Sequence, residues 1–220
     1  MNKRSLSPEF LKNDVDISLE EKVWQHPRDI FSVYRLQCKL PIFDSSEIYE
    51  VERTLVQKRP FAIVLPYDPY LDQVVMIEQI RMASVFTKQD SPCIFELCAG
   101  YVDEGERPES AAKREVLEET GLDVEQLEFV CEYWVSPGWS SERAHFYCAQ
   151  VDASSAFGAF GLPSEGESTK VHRMDALSFI DLVEAGQLDN GGAVIGALWL
   201  SKHRERLRKL WQKKDSNSRG

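Results

Sequence analysis

Between Gly100 and Leu122 the chain reads GYVDEGERPESAAKREVLEETGL, and in it Glu106, Glu115, Glu118 and Glu119 surround Arg114 at separations that chemistry can use. Residues three and four apart on a helix share a face, so Glu115, Glu118 and Glu119 project together and Glu106 joins them at the helix entrance. Like charges at that spacing repel by roughly 0.2–0.5 kcal/mol per pair. Arg114 reaches Glu118 one turn on, but one guanidinium cannot neutralise the set. A hard divalent cation resolves the imbalance, because Mg²⁺ takes carboxylate oxygens and completes its octahedral shell with water and substrate phosphate. An EExxE run by itself is most often a solvated acidic face. The spacing of the whole stretch is what separates the two readings.

The elements that must position these residues follow from periodicity. Residues 108–120 have helical spacing, with Pro108 suited to the first turn and Gly121 to the position just past the end. Short apolar runs at 61–66, 73–79 and 94–97 precede it, and runs at 127–135 and 144–151 follow, all of strand length. Residues 174–185 and 193–211 read as two closing helices, with a polar tail over 213–220. Near the start, 31–40 and 46–56 alternate apolar and polar residues around Pro41 and Asp44-Ser45-Ser46, which predicts a hairpin. Strands mixed with helices give an α/β fold. The expected division is a β-hairpin region over 1–58, a main domain over 59–212 and the tail over 213–220. Residues 152–170, rich in small residues and glycine, are expected to form a long flexible loop of the kind that carries function.

Composition narrows the function further. The 220 residues include 26 basic and 36 acidic side chains, a formal charge of −10, which argues against tracking a phosphate backbone. Residues 100–128 hold ten acidic and three basic side chains, a local net of −7, so the negative charge gathers around the candidate metal site. Cys38, Cys93, Cys98, Cys131 and Cys148 are odd in number and form no CxxC pair, which predicts reduced thiols and no zinc site. His26, His145, His172 and His203 have no ligand spacing either. Residues 5–16 lack the apolar stretch of an export signal, and the longest apolar run, 191–200, is half of the roughly 20 residues that span a bilayer. A cytoplasmic protein with neither membrane nor nucleic-acid partners is expected. The basic stretch 202–214 reads as a helix end, with Leu207, Leu210 and Trp211 facing a core.

Read as a pattern, the segment is Gly100, five residues, Glu106, seven residues, Arg114-Glu115-Val116, one residue, Glu118-Glu119, one residue, Gly121-Leu122. It resembles the signature of the Nudix hydrolase superfamily in full. That resemblance implies an α/β/α sandwich with a mixed sheet, preceded here by the hairpin appendage, which hydrolyses a nucleoside diphosphate linked to another group. It implies Mg²⁺, with Mn²⁺ as a substitute, held by Glu115, Glu119 and the carbonyl of Ala99. Arg114 would orient the carboxylates, and Gly100 and Gly121 would supply backbone shapes that side chains obstruct.

Downstream residues narrow the branch. Pro137 lies fifteen residues after Leu122 within Ser136-Pro137-Gly138, EQIR ends at Arg81 and SSER at Arg143. With the hairpin, these are similar to the bacterial ADP-ribose pyrophosphatases over nearly the whole chain. By that resemblance Glu165 is the proton acceptor that activates water and Glu167 a further metal ligand. Arg53, Lys58 and Arg81 are substrate-contacting cations, the Ser136–Gly138 turn lies near the substrate, and Glu142 contacts its ribose side. Trp24, Arg28 and Phe31 remain alternatives for stacking on adenine, while Tyr133, Trp134 and Trp139 are further aromatic candidates. The resemblance implies a homodimer whose hairpin crosses to the second subunit, so that Arg53 acts there, and ADP-ribose as the small-molecule substrate. Another nucleotide sugar or a dinucleotide such as NADH is the rival substrate class, and a non-hydrolysing ADP-ribose sensor the rival function.

Overall fold

Strands form where β-branched and aromatic residues alternate, because successive side chains leave a strand on opposite faces. The computed structural model describes residues 14–162 and 166–218, with side chains up to 212. These divide into two units, one of residues 14–59 with 134–143 and one of 60–133 with the described residues from 144 on.

The first unit is an antiparallel sheet of β1 (Asp16–Gln25), β2 (Phe31–Pro41) and β3 (Ile48–Lys58), in that order. The expected hairpin is β2 with β3, whereas β1 is an addition the periodicity did not announce. Its pairing with β2 is interrupted between Ile17 and Leu19 and again between Lys22 and Trp24, and its residues are exposed throughout. Bulges break the two-residue alternation on which a sequence reading depends. Segment 134–143 runs beside β3, with the Val56 N–H donating to the Trp139 carbonyl (2.7 Å) and the Ser141 N–H to the Val56 carbonyl (3.0 Å).

The second unit is built on an eight-stranded sheet. Its strands are β4 (Phe61–Asp68), β5 (Gln73–Ile80), β6 (Cys93–Glu96), β7 (Cys98–Tyr101), β8 (Gln126–Trp134), β9 (Arg143–Gln150), β10 (Gly158–Phe160) and β11 (Thr169–Asp175). The order is β10-β11-β5-β4-β9-β8, with β6 on β5 and β7 on β4. The β4–β9 pair is parallel and the β4–β5, β4–β7, β5–β6, β5–β11 and β10–β11 pairs antiparallel, so the sheet is mixed as expected.

Alternation along the central strands divides the interior in two. Ile63, Leu65, Tyr67, Val74, Met76, Phe146 and Cys148 join a core with Phe179 of α3 (Ala176–Glu184) and Leu200, Leu207 and Trp211 of α4 (Gly191–Ser218). Ala62, Val64, Val75, Ile77, Tyr147 and Ala149 join a second core with Ala111, Ala112 and Val116 of α2 (Pro108–Thr120). Each large apolar side chain so buried contributes roughly 1.5–3 kcal/mol. The result is the α/β/α sandwich; a short helix, α1 (Met82–Phe86), leads from β5 toward β6.

Three expectations need correction. The loop over 152–170 contains a 3₁₀ turn at Ala153–Ser155, all of β10 and the start of β11, because β11 supplies a partner that composition does not reveal. β11 also takes residues 174–175, so α3 begins later than expected. In α4, which runs on to Ser218, Leu207 and Trp211 are buried but Leu210 is 43% exposed. Basic residues of α4 form ion pairs within the unit, Arg204 with Asp72 and Arg206 with Glu128. Among the described residues no helix is long and apolar enough to cross a membrane.

Candidate active site

Helix α2 has the limits its sequence announced. Pro108 occupies its first turn, and Gly121 ends it at φ 70°, its N–H donating to the Leu117 carbonyl (2.8 Å). A side chain at Gly121 would also meet the Phe160 ring at 2.5 Å. The buried stripe of this helix is Ala111, Ala112, Glu115, Val116, Glu119 and Thr120. Two carboxylates therefore lie on the face that packs against the sheet, with Glu115 8% and Glu119 3% exposed, which rejects the reading of a solvated acidic face.

The sheet makes room for them. Gly100 of β7 faces the Glu115 carboxylate so closely that a Cβ there would overlap it. The neighbouring Ala99 N–H donates to Glu119 Oε2 (3.0 Å), which ties the end of this side chain to β7.

Arg114 organises the rest. Its Nε donates to Glu106 Oε1 (3.2 Å) and its Nη2 to Glu106 Oε2 (3.0 Å) and to the Tyr101 carbonyl (2.9 Å). Its Nη1 donates to Glu115 Oε1 (2.6 Å) and Glu118 Oε2 (3.1 Å). One cation thus serves three carboxylates, more than the single contact its spacing predicted. Glu106 is held below the usual carboxylate range by Arg114, whose own pKa is raised by Glu106.

Even so, negative charge remains in excess. Burial pushes Glu115 up to about 7 despite the Arg114 contact, with the charges of Glu118 and Glu167 adding to the rise. Burial pushes Glu119 up to about 8, and repulsion from Glu115 and Glu167 outlasts the help of the Ala99 N–H and of Arg81. A carboxylate that resists ionisation near neutral pH is a site waiting for a positive charge. Among the described residues no three His, Cys, Asp or Glu side chains stand together at metal-holding distance. Hard oxygen donors in an open arrangement nevertheless fit Mg²⁺, which is usually bound through one or two carboxylates and substrate phosphates rather than in an all-protein cage.

Comparison with known proteins agrees with this geometry. Residues 57–193 match the NUDIX domain. The chain belongs to the Nudix hydrolase family. This Nudix enzyme is 37% identical over 202 residues to the ADP-ribose pyrophosphatase of Escherichia coli (strain K12), covering 92% of this chain and 95% of that one. It is 34% identical over 206 residues to the ADP-ribose pyrophosphatase of Haemophilus influenzae, covering 93% and 94%. A GDP-mannose pyrophosphatase of Escherichia coli O1:K1 / APEC is 29% identical over 149 residues, 68% of this chain and 77% of that one. A solved structure titled as an ADP compounds hydrolase superposes with a TM-score of 0.66 at 21% identity, covering 90% of this chain and 96% of that one, which shows the shared fold.

The remaining sequence candidates of this Nudix hydrolase fall into separate groups. Glu167 lies beyond Gly161, where the Gly161 N–H donates to the Glu118 carbonyl (3.3 Å) and the Thr169 hydroxyl to the Glu119 carbonyl (3.1 Å). Both flanks of the segment are thereby tied to the last turn of α2. Glu165 lies outside the described residues. Arg81 follows β5, and its charge acts on Glu119. In the other unit, Lys58 pairs with Glu142, and the turn Ser136-Pro137-Gly138 is closed by the Ser140 N–H donating to the Ser136 carbonyl (2.9 Å). Arg53 projects exposed from β3. Trp24 and Phe31 pack on each other with ring centres 5.1 Å apart and both meet His26. Trp134 lies under the Arg143 guanidinium at 4.4 Å. Sequence reasoning missed Glu96, which accepts from both Arg81 and Gln79 because β6 pairs with β5.

Proposed function

We propose that the protein hydrolyses the pyrophosphate of ADP-ribose, adding water across one P–O bond to give AMP and ribose 5-phosphate. The observation that carries the reading is the burial of Glu115 and Glu119 on the sheet-facing side of α2, beside Gly100 and Ala99. Identity to ADP-ribose pyrophosphatases over nine-tenths of the chain supports the substrate. Glu115, Glu119, Glu167 and the Ala99 carbonyl would hold Mg²⁺ or Mn²⁺. Held there, such an ion would supply Lewis-acid charge to the diphosphate and would make a water easier to deprotonate.

The residues of the chain do the rest. Arg114 holds Glu115 and Glu118 in place, and Arg81 meets a phosphoryl oxygen. Glu165 takes the proton from water, and the tethered flanks of its segment bear on the α2 turn that carries Glu119. Lys58, Glu142, Arg53 and the Ser136–Gly138 turn contact the substrate in a cytoplasmic homodimer. Exposed apolar residues on β1, Ile17, Leu19, Val23 and Trp24, support burial of that sheet by a second copy.

A panel of ADP-ribose, GDP-mannose, diadenosine polyphosphates and NADH in saturating Mg²⁺ tests the substrate. ADP-ribose is expected to be turned over best, and the proposal fails if it is the poorest. The 29% identical GDP-mannose pyrophosphatase keeps a second nucleotide sugar as the alternative reading. Glu165→Gln is expected to slow turnover by about 100-fold with metal affinity retained; near-normal rates would remove Glu165 as the base.

A further inference from the structure

We infer that Glu96, itself held by Gln79, is the positioning residue that aims the Arg81 guanidinium at a substrate phosphoryl group. The inference rests on the pyrophosphatase reading above. Its basis is the pairing of β5 with β6, which sets Ile77 opposite Glu96 and Gln79 opposite Ile94. Directly opposed residues share a face of the sheet, and alternation carries Gln79 to the same face as Ile77. Ile77 packs into the core under α2, so Glu96 and Gln79 lie on the side of the sheet that α2 covers, whereas Phe95 packs into the opposite core.

Arg81 is fixed twice at the end of β5. Its backbone N–H donates to the Pro92 carbonyl (3.0 Å), and its Nε donates to Glu96 Oε2 (2.6 Å). Gln79 Nε2 donates to the same oxygen (3.1 Å), and Gln79 is 8% exposed, so the carboxylate is anchored from the protein side. Among the described residues the two Nη groups of Arg81 make no hydrogen bond, and the side chain is 43% exposed.

Arg114, by contrast, spends Nε, Nη1 and Nη2 on protein acceptors. Arg81 has one edge held and its two terminal nitrogens open, with its charge acting on Glu119; such a fork matches phosphoryl oxygens and would otherwise lose its rotamer freedom on binding. A carboxylate at position 96 leaves the charge of Arg81 in place while removing the disorder of a long side chain.

The test is a double-mutant cycle with steady-state kinetics on ADP-ribose, using Glu96→Ala, Arg81→Ala and the double variant. Glu96→Ala is expected to raise KM by about tenfold with kcat changed less, because an arm that meets ground state and transition state alike contributes uniform binding. The double variant is expected to match Arg81→Ala, since an absent arm cannot be positioned. Glu96→Gln, which keeps the shape and one acceptor oxygen for Arg81, is expected to restore most of the KM, and melting temperatures of all variants guard against a folding effect. An unchanged KM in Glu96→Ala, or Glu96 and Arg81 effects that multiply independently, overturns the inference while wild-type turnover still stands. Wild-type protein that leaves ADP-ribose uncleaved would instead overturn the underlying reading.

Discussion

Asp72, half-buried, and Glu119, buried, are carboxylates that the molecule treats in opposite ways. Asp72, in the turn between β4 and β5, accepts from Arg204 Nε (2.7 Å) and the Tyr67 hydroxyl (2.7 Å), with Arg208 Nη1 at 3.7 Å. Burial pushes its pKa up, but the hydrogen bonds and charges of these partners win and the net shift is downward. Glu119 has one backbone N–H and a distant arginine against burial and two neighbouring carboxylates, and its pKa rises to about 8. On the α4 side the chain spends two arginines on one acid, whereas on the α2 side a single arginine serves three. Where stability is at stake the charge is matched, and where the proposed ion and diphosphate would enter it is left in surplus.

The contrast is broken most directly at Glu119. Glu119→Gln is expected to lower kcat with Mg²⁺ by more than about 100-fold, beyond what loss of a group that only supports a metal ligand costs. Stability should move the other way. Because the folded pKa of Glu119 is raised, its contribution is fully present below about pH 4.5 and is lost as pH rises through about 8. In a chelator at pH 9 the glutamine variant should therefore melt above wild type, with the gap closing toward pH 4.5. A variant that melts below wild type at both pH values would show that Glu119 is a matched charge after all.

A second change sharpens the same point without touching a carboxylate. Gly100→Ala places a Cβ where the Glu115 carboxylate now lies, so either that side chain or β7 must shift. Turnover should fall by about 10- to 100-fold, the range for groups that orient metal ligands. Kinetics beside a thermal melt separate displacement of Glu115 from general unfolding.

Much of this site was legible because its signals are local. Helix α2 lies where Pro108 and Gly121 bracket the glutamates, and the spacing of those glutamates already announced a shared face. Whether that face was wet or buried was not legible, since it depends on the sheet beneath. Strand β1 was hidden by two bulges, and β10 by two glycines of positive φ, Gly158 as the first of its three paired residues and Gly161 just past the last. Glu96 escaped notice for a related reason. In the run Cys93–Glu96 it is one more alternating position, and only the register with β5 brings it to Arg81.

On the matched side, Asp72→Asn isolates charge from shape. Asp72 has φ 57°, and asparagine tolerates that left-handed conformation as well as aspartate does. Removing the carboxylate leaves Arg204 only the exposed Glu205 as an ionic partner, which should destabilise the fold by about 2–3 kcal/mol at pH 7, below the fully buried range because solvent reaches the pair. The lowered folded pKa means the contribution is present above an unfolded value near about 3.9 and is lost as pH falls below it. Urea unfolding at pH 7 and pH 3.5 checks both statements. A gap of equal size at the two pH values would locate the effect in packing instead.

The smallest effect is expected where an arginine and a carboxylate meet in water. Arg206 pairs with Glu128 through both oxygens, with side-chain exposures of 45% and 29%. Two long side chains must be ordered to make that contact, and solvent screens the charge, so exposed pairs contribute about 0.2–1 kcal/mol. Arg206→Ala should therefore lower stability by less than about 1 kcal/mol, and the difference should shrink in high salt. Asp72→Asn should keep most of its effect under the same salt, because its partners are less exposed. If the two variants proved equally costly and equally salt-sensitive, seclusion would not be what separates the pairs, and the high pKa of Glu119 would have to be ascribed to its like-charged neighbours alone.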